Sequence, residues 1–286
     1  LINYMKVYLD NAATTSIAPE VLEQMMPYLT QEFGNPSSQH SHGRSTRAAI
    51  EQARKKVASL LQAHPSEITF TSGGTESTNI ALFGAIQNLN VERLIVNPIE
   101  HHCVLNTVEY LAKTAPIELA YLKIKEGGAI DLQDLESQLA ASEKKALVSI
   151  MHGNNEIGTL SDMAAISEIC NRFDAYYHSD TVQTMAHYPF DTTQLKVHFL
   201  TGSAHKFHGP KGIGFLYVRK GVQIDTLIHG GGQERNKRAG TENLYGIVGL
   251  AAAMENAYAN LNEDKAYIQE LKEYLFKGLK QLFPDV

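Results

Sequence analysis

The sequence predicts an α/β protein with a mostly parallel seven-stranded sheet, helices on both faces, and the beginning of a second, smaller domain. Three observations carry this. Seven short β-rich runs are spread over residues 68–218, the segments between most of them space their apolar residues helically, and past Thr241 two long helical runs follow with no strand between them. Strands alternating with helices imply a parallel sheet covered on both sides. The change of texture near residue 255 marks a new unit. The chain is accordingly divided into an N-terminal segment (1–14), a large domain (15–255) and the incomplete start of a small C-terminal domain (256–286).

From about Gly43 to Ala63, Ala49, Ile50, Ala53, Val57, Leu60 and Leu61 recur at helical spacing, with Glu51, Arg54, Lys55 and Lys56 on the other side. That is an amphipathic helix. The β-rich runs are ITF (68–70), LIV (94–96), IELAYLKI (117–124), ALVSIM (146–151), AYYH (175–178), VHFL (197–200) and IGFLYV (213–218). A helix is predicted through Ile80, Leu82, Phe83 and Ile86, and others through VLNTVEYLAK, LQDLESQLA and MAAISEICNRF. The last two are ENLYGIVGLAAAMENAYANL and KAYIQELKEYLFKGLKQLF. No internal repeat is found.

A chain of 286 residues, 43% hydrophobic and 20% charged, can bury one large core and part of a second. Its net charge of -6, with Lys and Arg scattered, leaves no basic footprint for nucleic acid or an anionic membrane, so small molecules and other proteins are the expected partners. No apolar run approaches the roughly 20 residues of a spanning helix. A signal peptide's basic and apolar regions are also missing from the N-terminus, and the expected location is the cytoplasm. Cys103 and Cys170 are too few for a disulfide scaffold or a zinc knuckle and fit a reducing compartment. Met5 begins MKVYLDNAATT as a natural start would, which makes Leu1 to Tyr4 the expected remnant of a leader or tag.

In open parallel sheets ligands gather at the carboxyl ends of the strands, and the chemistry-bearing motifs follow strands here. After ITF comes TSGGTESTN (71–79), whose glycines, free amides and helix dipole offer an anion site, with Thr75 adding a hydroxyl. A Gly-rich turn with a Ser/Thr cap is an equal reading. It is neither GxxxxGK[ST] nor GxGxxG. NPIEHHCV puts His101 and His102 at the head of a helix, where a histidine also serves as a cap or surface residue. HGNNEIG brings Asn154 and Asn155 to the same edge, although asparagines are common turn formers.

Ser179, Asp180 and Gln183 follow AYYH. A carboxylate there is either a surface-loop aspartate or, if desolvated, the partner of a cation or a protonated ring nitrogen. Lys206 stands in SAHKFHGPKG beside Ser203 and His205. An ammonium at the mouth of a sheet can be desolvated until its neutral amine attacks a carbonyl, as a Schiff base requires. A phosphate cradle, a ring-stacking histidine, a carboxylate for a pyridinium and an amine for an aldehyde are the inventory of a pyridoxal phosphate site.

YLDNAATT, GNPSSQHSHG, TSGGTES, EH, NNEIG, HSDTVQ, SAHKFHGPKGIG and GGGQERNKRAGTEN, in this order from Tyr8 to Asn243, resemble the group I, NifS/IscS-like cysteine desulfurases. These are class V aminotransferases of the fold type I pyridoxal phosphate enzymes. The resemblance implies that Lys206 carries pyridoxal 5'-phosphate, that Asp180 pairs with the pyridine nitrogen, and that His101 stacks on the ring and moves protons. It also implies that Asn155 and Gln183 contact ring substituents, with Asn155 near the substrate carboxylate. Gly74, Thr75, Ser203 and His205 would bind the phosphate, and Thr241 would reach it from the neighbouring subunit of a homodimer. No metal is implied.

The implied reaction converts L-cysteine to L-alanine and passes sulfur through an enzyme persulfide to an acceptor such as an iron–sulfur scaffold protein, for cluster or thiocofactor synthesis. The family's nucleophilic cysteine, in a loop of the form SGSAC, and the arginine that follows it have no counterpart in these residues. Both are expected beyond Val286, and this chain alone is expected to bind cofactor without turnover. Cys103 is expected to turn into the core with Val104 and Leu105, and Cys170 to be core on an apolar helical face. The alternatives are another fold type I enzyme, such as a selenocysteine lyase or an aminotransferase, and a non-catalytic pyridoxal phosphate-binding homologue.

Overall fold

The computed structural model describes residues 5–283, so the reading of Leu1 to Tyr4 lies outside the described residues. Every β-rich run overlaps a strand: β1 (Ile68–Thr71), β2 (Arg93–Val96), β3 (Glu118–Tyr121), β4 (Ala146–Ser149), β5 (Tyr176–Asp180), β6 (Phe199–Ser203) and β7 (Gly214–Val218). They form one sheet in the order β1-β7-β6-β5-β4-β2-β3. The pairs from β6 through β3 are parallel, whereas β7 runs antiparallel between β1 and β6. The connection from Ala204 to Ile213 is too short for the crossover that a parallel neighbour needs, so the chain must turn back.

The helices are α1 (Pro19–Thr30), α2 (Ser41–Leu60), α3 (Gly74–Asn88), α4 (His102–Thr114), α5 (Leu132–Ala140), α6 (Met163–Arg172), α7 (Leu244–Ala259) and α8 (Leu261–Leu282). The sequence reading did not anticipate α1. Pro27 lies inside it, where proline removes a helical hydrogen bond, but Pro19 suits the first turn and Val21 and Met25 bury themselves in the core.

Side chains alternate across the sheet and divide the core in two. Leu94, Val96, Leu147 and Phe199 pack under α3 and α4, against Ile80, Leu82, Val104 and Val108. Ile95, Val148, Tyr177 and Leu200 pack on the other face, against residues of α2, α5, α6 and α7 such as Val57, Leu135, Ile166 and Leu250. Burial along α7 runs to Met254, whereas α8 has no buried residue and exposes Tyr274 and Leu275. Among the described residues, no helix is long and apolar enough to cross a membrane.

Candidate active site

The carboxyl ends of the parallel strands and the start of α3 enclose a cavity of about 600 Å3. Asp180 and Ser203 line it from the last residues of β5 and β6, not from loops after them as the runs AYYH and VHFL suggested. The ladder continues through these polar residues because Asp180 pairs with Thr201, and Ser203 with Gly214. Lys206 follows on a single 3-10 turn, Ala204–Lys206, so its backbone is held close to the end of β6.

Asp180 is buried, which rules out the surface-loop reading. Its Oδ1 accepts from the Val182 amide at 2.9 Å, and Oδ2 has only the Cys103 thiol at 3.9 Å. Burial pushes its carboxyl above the usual range, opposed by the Val182 amide and by the charges of His101 and Lys206. The half-buried Lys206 is shifted the other way: burial lowers its amine, and Asp180 and Asp10 partly oppose this. Lys206 Nζ donates to the carbonyls of Ala12 and Ala13.

Gly74 and Thr75 meet the cavity at the first turn of α3, where the leading amides have no carbonyl of their own helix to donate to. A Cβ on Gly74 would stand 2.7 Å from Val182 Cγ2, so glycine is what lets the helix approach this wall. His101 lines the cavity and also caps α4, its Nδ1 accepting from the Cys103 amide at 3.1 Å. When the ring is neutral, that bond places its proton on Nε2. The cap reading of His101 holds, and the same side chain lines the cavity.

Asn155 and Gln183 also reach the cavity, and Gln183 Nε2 donates to the Ala12 carbonyl at 2.9 Å. His205 lines it with Nδ1 3.2 Å from Thr14 Oγ1. Burial, then the nearby Lys206 and Lys211, lowers this imidazole below its ordinary range. Asn154 is instead a buried turn former, donating to the Ile99 carbonyl at 2.7 Å and accepting from the Glu156 and Ile157 amides. Thr241 lines a separate cavity of about 100 Å3 beside Arg238 and Glu242.

Sequence reasoning assigned no site role to Asp10, Ala12 and Ala13 or to Glu156, all of which line the same cavity. YLDNAATT and NNEIG are the signals that contain them, but the use of a main-chain carbonyl leaves no trace in residue type. Cys103 packs against the core under α3 and α4 as expected, but it is only half-buried and also lines the cavity. Burial first, then Asp180's charge, raises its thiol to about 12. Cys170 is fully buried, as expected, and burial raises it to about 12 as well.

Residues 7–284 match the family described as Aminotransferase class-V. The chain is 46% identical to "Cysteine desulfurase IscS" of Dictyoglomus turgidum over 283 residues, which is 98% of this chain and 71% of the relative. A solved structure called "NIFS-LIKE PROTEIN" superposes with a TM-score of 0.94 at 42% identity, over 98% of this chain and 77% of that one. Another, "SspA in complex with cysteine", gives 0.84 at 39% identity over 93% and 78%. The chain belongs to the class V aminotransferases, in the branch of the IscS- and NifS-like cysteine desulfurases.

Proposed function

We propose that the cavity holds pyridoxal 5'-phosphate and that the chain supplies the cofactor core of a cysteine desulfurase, which takes the sulfur from L-cysteine and leaves L-alanine. The observation that carries this is the pairing, in one cavity, of the buried Asp180 carboxyl with the half-buried Lys206 amine. The residues fit the group. Asp180 Oδ2 forms no ion pair among the described residues and can receive a protonated ring nitrogen. The open amides of Gly74 and Thr75, with Ser203 and His205, suit a phosphate.

When bound, this cofactor supplies an electron sink for bonds broken at the amino acid's α-carbon. Lys206 anchors it by an amine that burial inclines toward the neutral, nucleophilic form. Asp180 keeps a proton on the ring nitrogen, and His101 offers Nε2 for proton movement at the substrate. Asn155 and Gln183 orient the ring substituents. Thr241, outside the cavity of its own chain, reaches the phosphate of a partner subunit in a homodimer. Neither thiol is suited to take the sulfur, because at neutral pH both stay protonated and the thiolate is the nucleophile.

The same reading makes an iron–sulfur scaffold protein the sulfur acceptor, the cytoplasm the location, and a boundary near residue 255 the limit between the large domain and the next. The SspA structure with cysteine supports the substrate. Loading with pyridoxal phosphate, borohydride reduction and peptide mapping test the anchor. Modification at Lys206, absent in Lys206→Ala, is expected, and modification elsewhere would overturn it. Sedimentation tests the dimer: a monomer with full cofactor occupancy would remove Thr241 from the site.

A further inference from the structure

The loop between β2 and α4 delivers His101 to the cavity, and side chains fasten it to β4 where the ladder stops. Parallel pairing sets Val96 opposite Ser149, and the Asn97 amide donates to the Ser149 carbonyl at 3.2 Å. The next bond of such a ladder would run from the Met151 amide to the Asn97 carbonyl. That carbonyl is taken by the Glu100 amide at 3.2 Å, and the Met151 amide donates to Glu100 Oε1 instead. The Glu100 carboxyl thus stands where the strand's own carbonyl would have been. Asn154 Nδ2, bonded to the Ile99 carbonyl at 2.7 Å, ties the same loop a second time. His101 follows directly on these two straps.

Glu100 is 5% exposed, forms no ion pair among the described residues, and its Oε2 has no hydrogen-bond partner. An ionised carboxylate with a single amide partner in such surroundings is strongly disfavoured. Burial drives this carboxyl well above its ordinary range against the pull of the Met151 amide, and the charge of Asp180 adds to the effect. Two like charges in a dry region penalise each other, and Asp180 is the one the cavity can use.

We propose that Glu100 is a positioning residue that works as a neutral acid, fastening the His101 loop to β4 and leaving the negative charge beneath the cavity to Asp180. The benefit to the cofactor rests on the function proposed above, whereas the neutral acid does not. Infrared spectroscopy of the full chain should show a protonated carboxyl band that disappears in Glu100→Gln and persists in Asp180→Asn. Glu100→Gln, neutral and of the same shape, should leave pyridoxal phosphate affinity and absorbance unchanged. Glu100→Ala should weaken binding by roughly tenfold or more, the scale on which supporting groups act. The proposal is overturned if Glu100→Gln removes no such band, if it is as damaged as Glu100→Ala, or if Glu100→Ala binds like the parent. Should the protein take up no pyridoxal phosphate at all, the cofactor reading fails while the infrared result still decides the state of Glu100.

Discussion

TSGGTES and GGGQERNKRAGTEN are both glycine-rich and polar, yet the first opens onto the cavity and the second is fastened away from it. In the first, Gly74 lets the backbone come close to Val182 and leaves amides free for a ligand. In the second, charge does the holding. Glu234 grips the buried Arg54 through both oxygens, at 2.7 and 2.8 Å, and accepts from the amide of Phe70 on the edge strand β1 at 2.8 Å. Glu234, Arg235 and Asn236 sit in the left-handed region, at φ of 46, 57 and 65°, a strain that non-glycine residues keep only where their surroundings insist.

The two loops are joined by one ion pair. Arg238 Nε lies 2.8 Å from Glu76 Oε1, and Glu76 Oε2 accepts from the Ser72 amide at 2.8 Å. A carboxylate in the first turn of α3 would repel an anion bound there, and Arg238 neutralises it. Glycine content alone therefore does not separate a loop that opens onto the cavity from a loop that is pinned away from it; the partners of the neighbouring charges do.

The sharpest way to break this comparison is Arg54→Ala, which leaves the Glu234 carboxylate buried without a cation. Urea unfolding should show a loss of about 3–5 kcal/mol, while absorbance per bound cofactor stays the same. The double change Arg54→Met with Glu234→Leu should recover most of that loss. If the single variant loses under ~1 kcal/mol, charge does not pin the second loop.

Gly74→Ala acts on the first loop. The added methyl meets Val182 Cγ2, and pyridoxal phosphate affinity should fall about tenfold, equivalent to ~1.4 kcal/mol. Adding Val182→Ala should restore it if contact with that side chain is the cause. An undiminished affinity in the single variant would show that the approach at Gly74 is not needed.

The smallest effect is expected where the loops meet. Burial pushes the Glu76 carboxyl up, but the bonds from Arg238 and Ser72 outweigh it and hold the group below the usual range. Such a group adds stability above its unfolded value, and the contribution is lost as pH falls through the folded value. Arg238→Gln should therefore cost about 1 kcal/mol at neutral pH, narrowing toward nothing in acid. A difference that stays constant with pH would assign the effect to packing.

Much of the frame was legible in residue order. The buried strands read as near-continuous apolar runs, the partly exposed edge strand β3 shows through the longer run IELAYLKI, and α2 and α4 to α6 announce themselves by period. Of the site residues that the resemblance implies, all but Thr241 line one cavity at the strand ends, whereas Asn154, read beside Asn155 at the same edge, is a turn former. Less legible were the ends of those strands. Asp180 and Ser203 read as loop residues because they are polar, whereas the register with Thr201 and Gly214 keeps them in the ladder. Helix α1 went unread; Pro27 counts locally against it, and burial of Val21 and Met25 overrules that.

By itself, then, the sequence determined the layer architecture, the succession of motifs and the identity of the groups able to do chemistry, since each depends on neighbours a few residues apart. Tertiary structure alone decided that β7 pairs with β1, that the Ala12 and Ala13 carbonyls meet the amine of Lys206, that Cys103 faces the cavity, and that Glu100 closes the ladder of β2 and β4. Each of these joins groups far apart in the chain or replaces a main-chain partner with a side chain. Protonation follows the same division, because burial and neighbouring charge, not residue type, set the balance at Asp180, Glu100 and Lys206.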